Sequence, residues 1–322
     1  MTAKYALLAQ LVLFSVVILV TTFVYLPGNS MFMQELQNTG HTFVFGITAL
    51  ISIHWLRRSS GKENSQPLYH YIMVLALCLF AGAAVEFLQI FTASDADIND
   101  VIRDAAGIVA CLGFYAIFDK GLMSKLRECR KIAKTGVALV SSLVLISALY
   151  PLVRVTMVYI EREAAFPVLV DFSSGWWRNF IAAEHAQINI VAAPVQWREM
   201  PGKPVARITL LVGPYPGLEL IEPQPDWSGY SNLNFKVFSE NPASMLLTIR
   251  VHDKKHNQLY NDRFNHAFTV RHGENLVKIP LAEIRTAPKN REMDMKEIAG
   301  MMLFTGRLKQ PENIYISNIR LN

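Results

Sequence analysis

Cysteine is scarce in this chain and missing from its second half: Cys78, Cys111 and Cys129 are the three it has among 322 residues. No disulfide can therefore brace anything after residue 130, and Cys78 and Cys111, set in apolar runs, are expected as small reduced residues. Charge is scarce too, at 18% of residues against 52% hydrophobic, which argues for two kinds of material rather than one ordinary soluble domain. The signatures of common chemistry are also lacking: no glycine-rich phosphate loop, HExxH helix, paired CxxC or GxSxG elbow occurs. His185, His252, His256, His266 and His272 have spacings that suit no metal site on one helix. A binding protein is thus expected ahead of an enzyme, with no cofactor and no metal. The formal charge of +5 does not imply nucleic acid, because a membrane protein gains excess Lys and Arg from its cytoplasmic loops.

What is present is unevenly distributed. Residues 1–154 are nearly unbroken apolar runs with short polar interruptions, 155–167 read as a connector, and 168–322 mix charge, proline and alternating apolar positions. Five spans are expected: Tyr5–Leu26, His41–Trp55, Leu68–Phe91, Val101–Phe118 and Val137–Val153. The first is too long for a signal peptide and ends with Tyr25 at an interface, so it is read as an uncleaved helix. The loops beginning at Arg57 and Asp119 are basic, the latter carrying Lys120, Lys125, Arg127, Arg130, Lys131 and Lys134. The loop after Leu26 has no Lys or Arg, and that around Asp95 is acidic. These biases place the N-terminus in the cytoplasm and export the C-terminal domain, to the periplasm of an inner membrane or its equivalent.

Polar groups at membrane depth need a partner or a purpose. Glu86 lies about one and a half turns before the end of the third span, with Gln89 on the same face. Asp97, Asp100 and Asp104 follow at spacings of three and four, on one face at the start of the fourth span. His41 opens the second span at the same outer end, and Arg103 is a candidate counter-ion. Small residues, Gly82 to Ala84 and Ala105 to Gly107, allow the third and fourth spans to approach closely. A ligand site of His41, Glu86, Gln89, Asp97, Asp100 and Asp104 is therefore expected. The bland alternative is that the aspartates cap a helix in a wet loop and that Glu86 and Gln89 are interhelical glue.

The pattern Glu86-x-x-Gln89, a short polar loop, then Asp97-x-x-Asp100-x-x-x-Asp104-x-x-Gly107 resembles the signature of the VanZ-like family of small polytopic membrane proteins, over roughly residues 5–120. This chain departs from it in the loop, where Asp95 or a neighbour replaces an arginine, and at Asp104, where asparagine is usual; Gln37 and Asn38 replace an acidic-basic pair. The family name comes from resistance to a glycopeptide antibiotic, and the resemblance implies a role at the cell envelope.

Beyond the connector the period changes to two. NLNFKVFSE, SMLLTIRVHD, ENLVKIPLAEI, GMMLFTGR and NIYISNIRLN alternate apolar with polar residues between turn signals, which predicts an all-β sandwich. The order of blocks from DFSSGWW to YISNIRLN resembles galactose-binding-like or carbohydrate-binding-module-like jelly rolls over residues 168–322. That resemblance implies a sugar stacked on exposed aromatics, and the candidates are Trp176, Trp227, Tyr230, Tyr260 and, for hydrogen bonding, Asp262. Most such aromatics in any sandwich are core.

The leading expectation is a non-enzymatic envelope protein that binds a lipid or lipid-linked headgroup at the outer acidic pocket and a glycan through its exported domain. One alternative is a small transporter with Glu86 as a proton or cation site, which would need oligomerisation. The other is an intramembrane enzyme on a lipid-linked sugar, with His41 and Glu86 as acid and base.

Overall fold

The computed structural model describes residues 3–23, 26–28, 30–59, 66–91, 97–124 and 128–322. Tyr25, Asp95, Lys125 and Arg127, singled out above, lie outside the described residues. The chain divides into two compact units, Met1–Thr156 and Met157–Asn322.

The first unit is helical: α1 Ala3–Phe23, α2 Met31–Ser59, α3 Pro67–Gln89, α4 Ile98–Phe118, the short α5 Lys120–Met123, and α6 Arg130–Ala165, within which the unit boundary falls. Among the described residues four helices are long and apolar enough to cross a membrane, α2, α3, α4 and α6, and Leu8–Phe23 is a shorter apolar helix. Large apolar side chains stand outward, Phe80 at 75%, Phe118 at 81% and Ile132 at 77% exposure, a surface that suits lipid rather than water. Inside, Phe45, Ala49, Ile53, Val74, Cys78, Val85 and Ile108 form the core of the bundle.

Two boundaries differ from the sequence expectation. Helix α2 begins ten residues before His41, because Met31–Gly40 contains the good helix formers Met, Gln, Glu and Leu, and Ser30 Oγ accepts from the Met33 N–H at 3.2 Å. His41 thus sits within α2 rather than opening it. Helix α6 likewise absorbs most of the expected connector, ending at Ala165, since neither its charges nor Pro151 stop it. Gly46 and Gly107 set the closest approach of α2 to α4: a Cβ on Gly107 would stand 2.0 Å from the Thr42 carbonyl oxygen. At the basic end, the Arg57 guanidinium grips Asp119 at 2.9 and 3.0 Å, and Tyr71 donates to the same carboxylate at 3.3 Å.

The second unit contains a sandwich of two antiparallel sheets, as the alternating segments predicted. The strands are β1 Val168–Val170, β2 Ile181–Glu184, β3 Ala186–Ala192, β4 Pro204–Leu210, β5 Gly217–Ile221, β6 Asn232–Ser239, β7 Met245–Asp253, β8 Phe264–Val270, β9 Gly273–Pro280, β10 Ile298–Phe304, β11 Glu312–Ile316 and β12 Ile319–Leu321, with a short helix α7 at Leu281–Arg285. One sheet runs β1-β12-β6-β11-β4-β3, with β9 also paired to β6; the other runs β2-β5-β10-β7-β8. Period-two alternation decides which face is which: on β7, Leu247, Ile249 and Val251 are buried, while Thr248, Arg250 and His252 face the other way. Leu218 and Leu220 of β5 and Met301 and Leu303 of β10 join them in the core.

Candidate functional site

In the helical unit, polar residues from three helices converge. Helix α2 contributes Glu35 and His41, α3 Glu86 and Gln89, and α4 Asp100, Arg103 and Asp104, with Asp97 as its N-cap. His41, Glu86, Gln89, Asp100 and Asp104 are all buried, Asp104 to 1% exposure. His41 Nδ1 lies 3.3 Å from Asp104 Oδ1. Glu86 Oε2 accepts from the Asp97 backbone N–H at 2.8 Å, and Gln89, with its amide nitrogen turned to Glu86, stands 3.2 Å from both carboxylate oxygens. Arg103 donates to Asp100 at 2.7 Å and to Glu35 at 3.2 Å. Gly82 makes room for Asp104, since a Cβ there would lie 2.7 Å from Oδ2.

Five of the six residues expected in this site are thus buried together. Asp97 differs: its carboxylate accepts from the Asn99 N–H at 2.9 Å in the ordinary manner of an N-cap, and only its backbone reaches Glu86. Arg103 pairs with Asp100, and its second partner, Glu35, was missed because residues before His41 read as loop. Had they been read as helix, Glu35, Asn38 and Thr42 at spacings of three and four would have marked one face.

In the second unit, the outward face of the sheet β2-β5-β10-β7-β8 carries a groove of 640 Å³. Its floor follows from strand alternation: Glu219 on β5, Met302 and Phe304 on β10, Thr248 and Arg250 on β7, and Asn265 on β8. Tyr215 and Tyr260 line it and remain 63% and 67% exposed. Tyr215 packs edge-on against Phe304, with ring centroids 5.8 Å apart, and holds φ at +52°, an uncommon conformation for a bulky residue. The Arg263 guanidinium lies 5.5 Å from the Tyr260 ring centroid, and Arg250 lies 4.0 Å from Glu219. Aromatic faces over a mixed-charge, amide-bearing floor can take an apolar sugar face and its hydroxyl rim.

Of the sugar-binding residues expected from sequence, Tyr260 lines this groove. Trp176 and Trp227 are core residues, at 3% and 0% exposure, and Trp227 Nε1 donates to the Gln224 carbonyl at 2.7 Å. Tyr230 is half-buried, edge-on to Phe166 at 5.3 Å. Asp262 is gripped by Arg291 at 2.6 Å, so its carboxylate is already engaged. Tyr215, Glu219, Arg250 and Phe304 were missed; an aromatic in the turn Pro214-Tyr215-Pro216-Gly217 was the available signal.

His252 continues the outward face of β7 beyond Arg250. Burial, then the neighbouring His256 and Arg250, push its pKa down to about 4. It is neutral in the fold, whereas the unfolded chain takes up the proton near pH 6.5. The unfolded state therefore binds more protons between these values, and stability falls as pH drops from about 6.5 and levels off below about 4. Urea midpoints followed by tryptophan fluorescence should show this decline, and His252→Gln should flatten it.

No family model and no curated protein matches this chain. Solved structures with some likeness include an exo-beta-agarase, at TM-score 0.40 and 17% identity over 48% of this chain, which spans only 24% of that one. A family 11 carbohydrate-binding module from Clostridium thermocellum, in complex with a beta-1,3-1,4-mixed-linked tetrasaccharide, gives TM-score 0.37 and 16% identity over 48% of this chain and 93% of that one. A non-crystalline-cellulose-specific module, CBM28, gives 0.36 and 13% over 49% and 93%. At such identities and scores the likeness carries no ligand, and the groove is read from its own geometry.

Proposed function

We propose that this chain is a non-enzymatic cell-envelope membrane protein whose exported β unit binds an extended glycan along the groove of the sheet β2-β5-β10-β7-β8. The observation that carries this is the pair of exposed tyrosines, Tyr215 and Tyr260, over the Arg250, Glu219 and Asn265 floor. A solvent-facing aromatic pair with polar groups between has no role in the core and suits a sugar chain. In the same reading α1 is the fifth span. The basic ends at Arg57, Arg58, Lys120, Arg130 and Lys131 face the cytoplasm, and the C-terminal domain lies outside. A tag placed after Asn322 is then accessible from the extracytoplasmic side of the membrane, to a protease added to spheroplasts rather than from the cytosol. The helical unit is read as VanZ-like, its buried polar cluster recognising a lipid or lipid-linked headgroup. Convergence of His41, Glu86, Gln89, Asp100 and Asp104 supports this over capping and interhelical bonding alone, since neither accounts for His41 set against the buried Asp104.

The test is a glycan array probed with the full chain in nanodiscs, followed by calorimetry on the best ligand. Tyr215→Ala and Tyr260→Ala should each weaken binding about tenfold, or about 1.4 kcal/mol, from lost stacking and apolar contact. Because both rings are largely exposed and each loses a single edge or cation contact, their removal should shift the unfolding midpoint far less than it weakens binding. Absence of binding across the array, or variants that bind as the parent does, would falsify the glycan reading.

A further inference from the structure

Among the described residues, one group of side chains brings an imidazole and carboxylates close enough to share an ion. One ring nitrogen of His41 and one oxygen each from Glu86 and Asp100 lie within 4.8 Å of one another. The charge balance there favours a cation. Glu35, Glu86, Asp100 and Asp104 bring carboxylates from three helices, and Arg103 answers two of them, Asp100 and Glu35. Among the described residues Glu86 has the Asp97 N–H and the Gln89 amide as donors, both neutral. With His41 the one cationic group among them facing both Asp104 and Glu86, the cluster carries more carboxylate than cation, which is costly in a lipid surround.

Asp104 supplies an independent observation. It is 1% exposed, and neither of its oxygens has a hydrogen-bond donor in good geometry among the described residues; its one ionic neighbour is His41 Nδ1 at 3.3 Å. A buried carboxylate against one ring nitrogen is the arrangement that orients a metal-bound histidine and leaves the other nitrogen to ligate. Capping α4 does not explain it, because Asp104 lies two turns into the helix.

We propose that His41, Glu86 and Asp100 hold a divalent transition-metal ion, Zn2+ or Mn2+, with Asp104 as the positioning residue for the His41 ring. An imidazole among the ligands disfavours Mg2+ and Ca2+, which take all-oxygen sets. Ligand atoms around a tetrahedral ion with bonds of about 2.0–2.2 Å stand about 3.3–3.6 Å apart, so closure from the present spacing needs only side-chain rotation of about 1 Å. Three protein ligands leave a coordination position open to an exchangeable group. The proposal deepens the headgroup reading of the same cluster, the open coordination position being where a headgroup would enter; it is independent of the glycan groove, and its failure leaves that reading untouched.

The full chain, carrying no polyhistidine tag, is purified in detergent, stripped with EDTA and dialysed against Zn2+ or Mn2+, and bound metal is read by mass spectrometry. The expected result is about one ion per parent chain, none in the His41→Ala/Glu86→Gln double variant, and affinity lowered about 10–100-fold in Asp104→Asn. Spin-echo spectra of the Mn2+-loaded parent chain detect nitrogen coupling from the imidazole without any substitution, so misfolding of a variant does not leave the matter open. Uptake with nitrogen coupling supports the site. Failure to take up either ion, an ion without nitrogen coupling, or retention by the double variant overturns it.

Discussion

Gly107→Leu is expected to abolish recovery of the folded helical unit, and Gly107→Ala to destabilise it by about 3 kcal/mol or more. A Cβ at this position would lie 2.0 Å from the Thr42 carbonyl oxygen, 2.8 Å from its carbon and 3.0 Å from its Cα. All three are backbone atoms, so no rotamer change relieves the overlap, and α2 and α4 must separate by about 1–1.5 Å in a close-packed interior. His41 precedes Thr42, and Asp104 lies one turn before Gly107, so the same separation stretches the 3.3 Å His41–Asp104 contact. Thermal aggregation of the detergent-solubilised chain, followed by size-exclusion chromatography, reads the effect. Gly136→Ala is the control: among the described residues nothing lies within 4 Å of where its Cβ would stand, and alanine suits a helix interior better than glycine, so its midpoint should hold or rise.

This close approach also shows what the sequence could and could not convey. Glu86 and Asp104 were legible because a carboxylate in an apolar run is conspicuous, and because spacings of three and four fix a common face once a helix is assumed. Glu35 was not, since Met31–Gly40 lacks the apolar run that marks a span, and helix formation there rests on propensity and the Ser30 cap. In the β unit, alternation revealed the strands and hence which residues of β7 and β10 share a face. It did not reveal which face packs inward, because that depends on where the partner sheet lies. Residue type misled for the same reason: Trp176 and Trp227 are large and amphipathic enough for either role, and burial alone assigned them to the core. Tyr215 escaped notice because its position over the groove comes from a turn, not from a strand period.

Arg291→Ala is expected to lower the stability of the β unit by about 3 kcal/mol and to weaken glycan binding with it. The Arg291 fork reaches Asp253 at 2.5 and 2.8 Å and Asp262 at 2.6 and 3.1 Å, joining the end of β7 to the loop that carries Tyr260 and Arg263 to the groove. The Asp253 side chain is fully buried, and its other support is the Asp294 N–H at 2.8 Å, so loss of the guanidinium strands a buried charge. Burial alone would raise the Asp253 pKa, but the Arg291 and Asp294 donors outweigh it and hold the group low. Arg291, then the Asn257 N–H, hold Asp262 down to about 2. These carboxylates ionise more readily in the fold than in the unfolded chain. Their contribution is therefore present above the ordinary aspartate value and is lost as pH falls through the lowered folded values, about 2 for Asp262, below the window in which His252 acts. Arg291→Ala/Asp253→Asn should cost less than the sum of the single changes, because the fully buried charge is then gone and Asp262, the carboxylate that still loses the guanidinium, keeps the Asn257 N–H. Urea unfolding across the four chains of this cycle checks the coupling. A stability loss in Arg291→Ala without weaker glycan binding would mean that Tyr260 is placed by its own loop rather than by this clamp.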